Sequence, residues 1–284
     1  METGDLRIGL VLSGGGAKGA YQTGVFHALE DAGLADHITA ISGCSIGAYN
    51  GLLYSIGGTE ILRDYMIRFP ALMEAYRQTE DAVVEESKQA VARGGVSLSQ
   101  FETDSRFWKY GSDGLMGYVR SALAEYDVSS LKRRLYACSY SLERERPEYF
   151  CLNRLSKEEI AKVVVSSGTL PYVFPPVKIG DSCFTDGAVM PEICKAPAPS
   201  DKIPLRPLME EPLNVIISVF LKPHDQIDHA YVPEHIRYLE LRPSIPLEPA
   251  PSAGTMDFNP EHLKEREEIG YRDTLELLKK NPLG

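Results

Sequence analysis

Two glycine clusters, each lying between an apolar run and a segment of helical pattern, constrain the fold of this chain more than any other feature. The clusters are 14–19 and 43–47, and the apolar runs that precede them are 7–13 and 38–42. A short apolar run that ends in glycines predicts a buried strand followed by a tight turn. The repeated order of strand, turn and helix is typical of a parallel α/β fold.

Later segments continue the alternation of strands and helices. The further predicted strands are 134–142, 148–152, 213–221 and 238–242. A capping box formed by Ser156 and Glu159 predicts the start of a helix that continues to Val165. Asn259 precedes the last predicted helix, which ends before Pro282.

The chain contains neither a repeat nor a clear linker, so we expect one domain over residues 1–284. Residues 57–130 are mostly helical in pattern and carry scattered large apolar side chains, which predicts a helical insertion packed over the α/β core. These side chains fit an ordinary core better than a lid or an apolar tunnel. Residues 255–284 are predicted to form a C-terminal helical segment.

Composition excludes some classes of protein. The net charge of −10 argues against general binding to nucleic acid or to anionic membrane surfaces. Residues 1–7 lack the basic start and apolar stretch of a secretory signal, and no apolar run approaches the ~20 residues that span a bilayer. The five cysteines form no CxxC pair, which favours reduced thiols. We therefore expect a cytoplasmic location.

The segment Gly43-Cys44-Ser45-Ile46-Gly47 has the pattern of a serine nucleophile elbow. Small residues at Gly43 and Gly47 let the backbone turn sharply from strand to helix, which places the Ser45 hydroxyl in a cleft. The positive end of the following helix stabilises developing negative charge. A Gly-x-Ser-x-Gly pattern also occurs by chance, but its position between a predicted strand and a predicted helix favours Ser45 as a nucleophile.

The pattern of the Gly14–Gly19 loop is compatible with two functions. Glycines at 14, 16 and 19 match the G-x-G-x-x-G pattern of dinucleotide binding, but that pattern expects an acidic residue after the second strand, where this chain has none. The alternative is an oxyanion hole of backbone N–H groups, which we favour. Its candidate residues are Gly14, Gly15, Gly16 and Ala17, with Lys18 and Gly19 in support. For Lys18, hydrogen bonding within the loop, attraction of a substrate phosphate and simple solvation remain open.

The base that activates Ser45 has to come from elsewhere in the chain. Asp186 follows the apolar pair Cys183-Phe184 and precedes Gly187, so a strand can end there with its carboxylate at the edge of a cleft. A carboxylate beside a serine can accept its proton directly. The alternative is that Asp186 and Gly187 form an ordinary turn without a catalytic role. A Ser-Asp-His triad also stays open, although none of the six histidines lies in a motif.

Four segments together resemble the patatin-like phospholipases, in their order and spacing, over most of the chain. These are Gly14-Gly15-Gly16-Ala17-Lys18-Gly19, Gly43-Cys44-Ser45-Ile46-Gly47, Ser166-Ser167-Gly168-Thr169-Leu170-Pro171 with the following Phe174-Pro175-Pro176, and Asp186-Gly187-Ala188. The chain departs from the family at Ala188, where a second glycine is frequent. It also lacks the asparagine that commonly follows, since Val189-Met190-Pro191-Glu192 stands there.

The resemblance implies a three-layer α/β/α fold with a mostly parallel central sheet and a catalytic dyad of Ser45 and Asp186 without histidine. It also implies an oxyanion loop at Gly15–Ala17, no metal and no cofactor. The expected substrates are phospholipids, lysophospholipids or other acyl-ester lipids, reached by local, apolar contact with a membrane surface. A transacylase with the same dyad is the first alternative, and a nucleotide-binding module is a weaker one.

Overall fold

One eight-stranded sheet forms the centre of the molecule. The computed structural model of the protein describes residues 6–75, 110–124, 126–171, 173–188, 200–248 and 254–283. The strands are β1 (Ile8–Leu12), β2 (Ile38–Cys44), β3 (Arg134–Ser141), β4 (Arg146–Cys151), β5 (Val177–Ile179), β6 (Ser182–Asp186), β7 (Val215–Val219) and β8 (Arg237–Leu241).

Five of these strands form a parallel core in the order β3-β2-β1-β7-β8. Strands β4 and β6 pair with β3 in the antiparallel direction, and β5 pairs with β6 in the same way. The predicted α/β class with a mostly parallel central sheet is therefore confirmed. Strand β5 follows Pro175 and Pro176 in a segment for which the sequence pattern predicts no strand.

Strand β3 pairs with two strands, β2 and β6, that come from distant parts of the chain. One edge of β3 pairs with β4 along Tyr136–Ser141. The other edge pairs with β2 as far as Cys138 and then with β6 from Ser139 onward, where the partner of Ser139 is Asp186. Strand β2 ends at Cys44, whose partner is Cys138. The end of β2 and the end of β6 therefore lie next to each other along the same edge of β3.

The five α-helices of the described ranges pack on one face of the sheet. They are α1 (Ala20–Asp31), α2 (Ile46–Glu74), α3 (Asp113–Ala124), α4 (Lys157–Ser167) and α5 (Pro260–Lys280). Helix α4 begins with the predicted capping box. Helix α2 follows the elbow and continues to residue 74, into the predicted helical insertion, with a break at Gly58, where φ is 68°. The part of the predicted insertion that lies at 76–109 is outside the described residues.

The two faces of the sheet are covered differently. Side chains alternate along β1, so Ile8 and Leu10 face the core beneath the α-helices, whereas Val11 joins a second core. In the described residues, this second core is closed by a 3₁₀ helix at Arg206–Glu210 and by the segments around it. The sheet is thus the middle one of three layers, with the α-helices on one side.

Helices α1 and α5 pack at backbone contact. A Cβ added to Gly24 would lie 1.9 Å from the carbonyl oxygen of Glu267, and one added to Gly270 would lie 2.0 Å from that of Tyr21. The Tyr21 hydroxyl also donates to Asp273 over 3.1 Å. Any larger residue at Gly24 or Gly270 would push the two helices apart.

None of the helices in the described ranges has the length and apolar character that crossing a bilayer requires.

Candidate active site

The elbow after β2 adopts the strained backbone that its sequence predicts. Ser45 has φ of 55°, a left-handed conformation that costs a non-glycine residue roughly 1–2 kcal/mol. A Cβ added to Gly43 would lie 2.3 Å from the Gly47 backbone, and one added to Gly47 would lie 2.2 Å from the carbonyl oxygen of Leu12. Both glycines therefore allow the start of α2 to lie directly against β1 and β2.

The strained Ser45 is held by a residue from another helix. Its backbone N–H donates to the Ser167 hydroxyl over 2.8 Å, and that hydroxyl donates to the Cys138 carbonyl over 2.6 Å. Ser167 is the last residue of α4 and is fully buried. It was part of the resemblance but not a predicted site residue, because a serine at the end of a helix carries no signal for a contact 122 positions away.

Asp186 ends β6 beside the elbow and is completely buried. Its Oδ1 atom accepts the Ala188 N–H at 2.8 Å and the Cys44 thiol at 3.7 Å. Oδ2 has no hydrogen-bond partner among the described residues. One carboxylate oxygen is thus fixed, and the other is available.

Burial raises the pKa of Asp186 from 3.8 to about 6. Hydrogen bonding by the Ser45 hydroxyl, the Ala188 N–H and the Cys44 thiol opposes this rise, as does the charge of Lys202. The Ser45 hydroxyl is thus one of the groups that lower the pKa of Asp186, whereas Oδ2 accepts no hydrogen bond of ordinary geometry within the described part of the chain. A base with a pKa near 6 is ionised at neutral pH and can still accept a proton.

The Gly14–Gly19 loop lies against Ser45, as the sequence predicted. A Cβ added to Gly14 would lie 3.1 Å from the Cβ of Ser45 and 3.6 Å from that of Ala188. The loop, the elbow and the Asp186 segment therefore meet at one point. Gly19 lies against the start of α2, where the Asn50 side chain donates to its carbonyl over 3.0 Å.

Two of the four candidate oxyanion N–H groups are already engaged. Gly14 donates to the carbonyl of Lys202 over 3.1 Å, and Ala17 donates to that of Thr255 over 2.8 Å. Within the described ranges, the N–H groups of Gly15 and Gly16 make no such bond. Gly16 has φ of 59° and a Cβ there would lie 2.1 Å from the Thr255 oxygen, so this position requires glycine.

Lys18 is buried, with 1% of its side chain exposed, and forms an ion pair with Glu248. Burial lowers the pKa of Lys18, and the hydrogen bond to Glu248 opposes this effect. Of the three roles that the sequence left open, solvation is wrong. The contact favours Lys18 as a residue that ties the loop to a segment 230 positions away.

A small apolar cavity of about 30 Å³ adjoins Ser45. Its lining includes Tyr65 and Phe69 of α2, Leu115 of α3, and Phe258. The rings of Phe69 and Phe258 stack with centroids 4.5 Å apart. Ser45 is only 6% exposed, so this structure is closed around the hydroxyl. The cavity holds about one water molecule and is too small for an acyl chain.

The histidines lie in other surroundings. All six are within the described ranges, and no hydrogen bond there joins a histidine to Ser45 or Asp186. His27 lies 3.8 Å from Asp31, His262 bonds to Asp257, and the ring of His229 stacks on Tyr238. These contacts favour the dyad over a Ser-Asp-His triad. In the described residues, no group of three or more His, Cys, Asp or Glu side chains is placed to hold a metal ion.

A family model described as patatin-like phospholipase matches residues 10–192 of this chain. The match includes Gly14–Gly19, Ser45 and Asp186, which are the segments that meet in the structure. Residues 189–192, where the sequence departs from the family, lie outside the described residues.

Similar proteins include two fungal lysophospholipases. Lysophospholipase nte1 of Aspergillus terreus is 29% identical over 184 residues, which are 63% of this chain and 10% of that protein. Lysophospholipase NTE1 of Cryptococcus neoformans var. neoformans is 53% identical over 49 residues, which are 17% of this chain and 3% of that protein. The chain thus spans 10% or less of the length of these curated relatives.

Similar solved structures are larger and distant in sequence. VipD from Legionella pneumophila is 18% identical with a TM-score of 0.45, over 96% of this chain and 67% of that chain. Human GIVD cytosolic phospholipase A2 is 11% identical with a TM-score of 0.48, over 98% of this chain and 59% of that chain. At these TM-scores, the two structures add no weight to the family match.

Proposed function

This chain belongs to the patatin-like phospholipase family, and we propose that it is a lipid acyl hydrolase with Ser45 as nucleophile and Asp186 as base. One observation carries the proposal: a completely buried carboxylate with one unpartnered oxygen lies at the end of β6, beside a serine held in a strained elbow at the end of β2. Such an arrangement is costly to stability and is typical of a reactive site.

The first step forms an acyl-serine. Asp186 Oδ2 accepts the proton of the Ser45 hydroxyl as the serine oxygen attacks the ester carbonyl. The N–H groups of Gly15 and Gly16 donate to the oxyanion, because those of Gly14 and Ala17 are engaged elsewhere. Collapse of the tetrahedral intermediate breaks the ester C–O bond, and the leaving alcohol takes the proton from Asp186.

The second step releases the fatty acid. A water molecule attacks the acyl-serine carbonyl and gives its proton to Asp186, and the same N–H groups stabilise the second oxyanion. The Ser45 oxygen then leaves and recovers its proton from Asp186. No other charged side chain needs to change its protonation state in this cycle.

The surroundings of Ser45 favour a lipid substrate. Aromatic and aliphatic side chains line the adjoining cavity, and the exposed Met256 extends this apolar surface outward. The similar fungal proteins are called lysophospholipases, which supports phospholipids and lysophospholipids as the substrate class. We propose that contact with a lipid surface is local and apolar, given the net charge of −10.

Fatty-acid release from lysophospholipid and mixed phospholipid micelles tests this function. We expect Ser45→Ala and Asp186→Asn each to lower the rate by roughly 10⁴-fold or more, since each removes a reacting group. Ser42→Ala is the matched control, because the buried Ser42 hydroxyl has no partner in the described residues. It should retain the activity of the unmodified protein.

Survival of activity in folded Ser45→Ala would overturn the proposal. An added alcohol acceptor separates hydrolysis from acyl transfer, since a transacylase would form a new ester in place of the free fatty acid.

A further inference from the structure

Cys44 contacts the base from the residue that immediately precedes the nucleophile. It is the last residue of β2, and its thiol lies 3.7 Å from Asp186 Oδ1, within range of a sulfur hydrogen bond. The other donor to Oδ1 is the Ala188 N–H, 2.8 Å away. Both hydrogen bonds that hold the carboxylate are therefore made to Oδ1, which leaves Oδ2 for the Ser45 hydroxyl.

The thiol is held in place from several sides. Cys44 is completely buried and pairs across the strands with Cys138, which is also completely buried. A Cβ added to Gly187 would lie 2.9 Å from the sulfur of Cys44 and 2.8 Å from that of Cys138. The two sulfurs thus fill the space beside the backbone that follows Asp186, and the Cys44 side chain has little room to rotate.

The thiol remains protonated and can therefore donate. Burial raises the pKa of Cys44 well above its ordinary value, and the neighbouring Cys138, Asp186 and Asp201 raise it further. Tyr49 and Lys202 are further titratable groups that interact with Asp186. Lys202 is the cation among them, and it is partly exposed and paired with Asp225.

We propose that Cys44 is a positioning residue for Asp186: its thiol fixes Oδ1, together with the Ala188 N–H, so that Oδ2 faces the Ser45 hydroxyl. The inference rests on the proposed dyad. The residue before the nucleophile thereby orients the base as well as shaping the turn.

Loss of this donor affects two separable quantities. With only the Ala188 N–H left, the carboxylate can rotate, so fewer molecules present Oδ2 to Ser45 and kcat falls. The charged form of Asp186 also loses a stabilising contact, so its pKa rises and the acid limb of kcat/KM moves to higher pH. Cys44 does not line the cavity beside Ser45, so we expect KM to stay the same.

The experiment compares Cys44→Ala and Cys44→Ser with Cys138→Ala, in the fatty-acid assay and across pH. Cys138 is the matched control because it is equally buried and adjoins Cys44, yet no hydrogen bond joins its thiol to Asp186 in the described residues. For Cys44→Ala we expect kcat to fall roughly tenfold and the acid limb to move up by about half a pH unit or more. Cys44→Ser, which keeps a donor, should lie between Cys44→Ala and the unmodified protein.

Cys138→Ala should move the acid limb less than Cys44→Ala does, because it removes packing against the Cys44 thiol but no donor to Asp186. An unchanged profile in Cys44→Ala, or equal changes in Cys44→Ala and Cys138→Ala, would overturn the positioning role while leaving the dyad intact. If Cys44→Ala does not fold, Cys44→Val, which also lacks a donor, decides in the same way. If the proposed hydrolase function itself is wrong, the unmodified protein will release no fatty acid, which distinguishes that outcome from failure of the positioning role.

Discussion

The Ser167 hydroxyl accepts a hydrogen bond from the backbone N–H of Ser45 at 2.8 Å and donates one to the Cys138 carbonyl at 2.6 Å. One side chain therefore ties the end of α4 to the elbow and to β3. The contact satisfies two buried backbone groups at the point where Ser45 is strained.

Ser167→Ala should lower both stability and catalysis. It leaves a buried N–H and a buried carbonyl without partners, at a cost of about 1–3 kcal/mol, and it frees the elbow that orients the Ser45 hydroxyl. Ser166→Ala is the matched control: Ser166 is equally buried on α4 but bonds to Val163 and Ser139. Urea denaturation and kcat should show similar stability losses for both variants and a loss of kcat for Ser167→Ala alone.

Activity should depend on pH through Asp186. Burial raises the pKa of this carboxyl to about 6, and only its ionised form can accept the Ser45 proton. We therefore expect kcat/KM to rise with pH around a midpoint near 6, measured with a soluble ester whose own hydrolysis is subtracted. A midpoint near 4, where an ordinary aspartate titrates, would contradict the influence of burial.

Asp186→Asn should stabilise the fold at neutral pH although it abolishes activity. The raised pKa means that the folded state binds this proton more tightly than the unfolded state, so stability falls as pH rises from about 4 to about 6. At about 1.4 kcal/mol for each pKa unit, the rise from 3.8 to about 6 corresponds to about 3 kcal/mol. Asparagine carries no charge and avoids this cost.

Denaturation midpoints at pH 8 and near pH 4 measure this effect. The gain of Asp186→Asn should be largest at pH 8 and disappear near pH 4, whereas Ser45→Ala keeps the buried carboxylate and should still lose stability as the pH rises through this range. A variant less stable than the unmodified protein at pH 8 would contradict the prediction.

Phe258→Ala should make Ser45 easier to reach. Phe258 stacks on Phe69 over the cavity, and the same segment places the Thr255 carbonyl on the Ala17 N–H. Loss of the ring loosens this cover, so we expect kcat/KM for a small soluble ester to rise several-fold, while stability falls by about 3 kcal/mol.

Phe26→Ala is the control variant for Phe258→Ala. Phe26 stacks on Tyr54 with centroids 3.8 Å apart and does not line the cavity beside Ser45. It should lose stability without any gain in the rate of ester hydrolysis. Equal gains in both variants would show that general loosening, rather than the cover, limits access.

Local patterns were sufficient to predict the parts of the site that depend on neighbours in sequence. The sharp turn at Ser45 follows from Gly43 and Gly47, and the end of β6 at Asp186 follows from the apolar residues before it. In both places the local signal, a small residue or a change of hydrophobic pattern, lies within a few positions of the candidate catalytic side chain, Ser45 or Asp186.

Contacts between distant segments were not predictable from such patterns. Thr255 and Lys202 engage two of the candidate oxyanion N–H groups, and Glu248 neutralises Lys18 from 230 positions away. That α2 leads directly into the helical insertion was not predictable either, because Gly57 and Gly58 look like a helix end and the chain does break at Gly58.

The contact of Gly24 and Gly270 has a consequence for the order of synthesis. Tyr21 and Asp273, which join α1 to α5 beside these glycines, are 252 positions apart. On the ribosome, α1 therefore emerges long before the helix that covers it, and its glycine face stays open until the Ser45 and Asp186 segments have both been made. Closing such a distant contact is slow, and the uncovered face is exposed to misassembly in the meantime. The contact between α1 and α5 is thus expected to form only after α5 has left the ribosome.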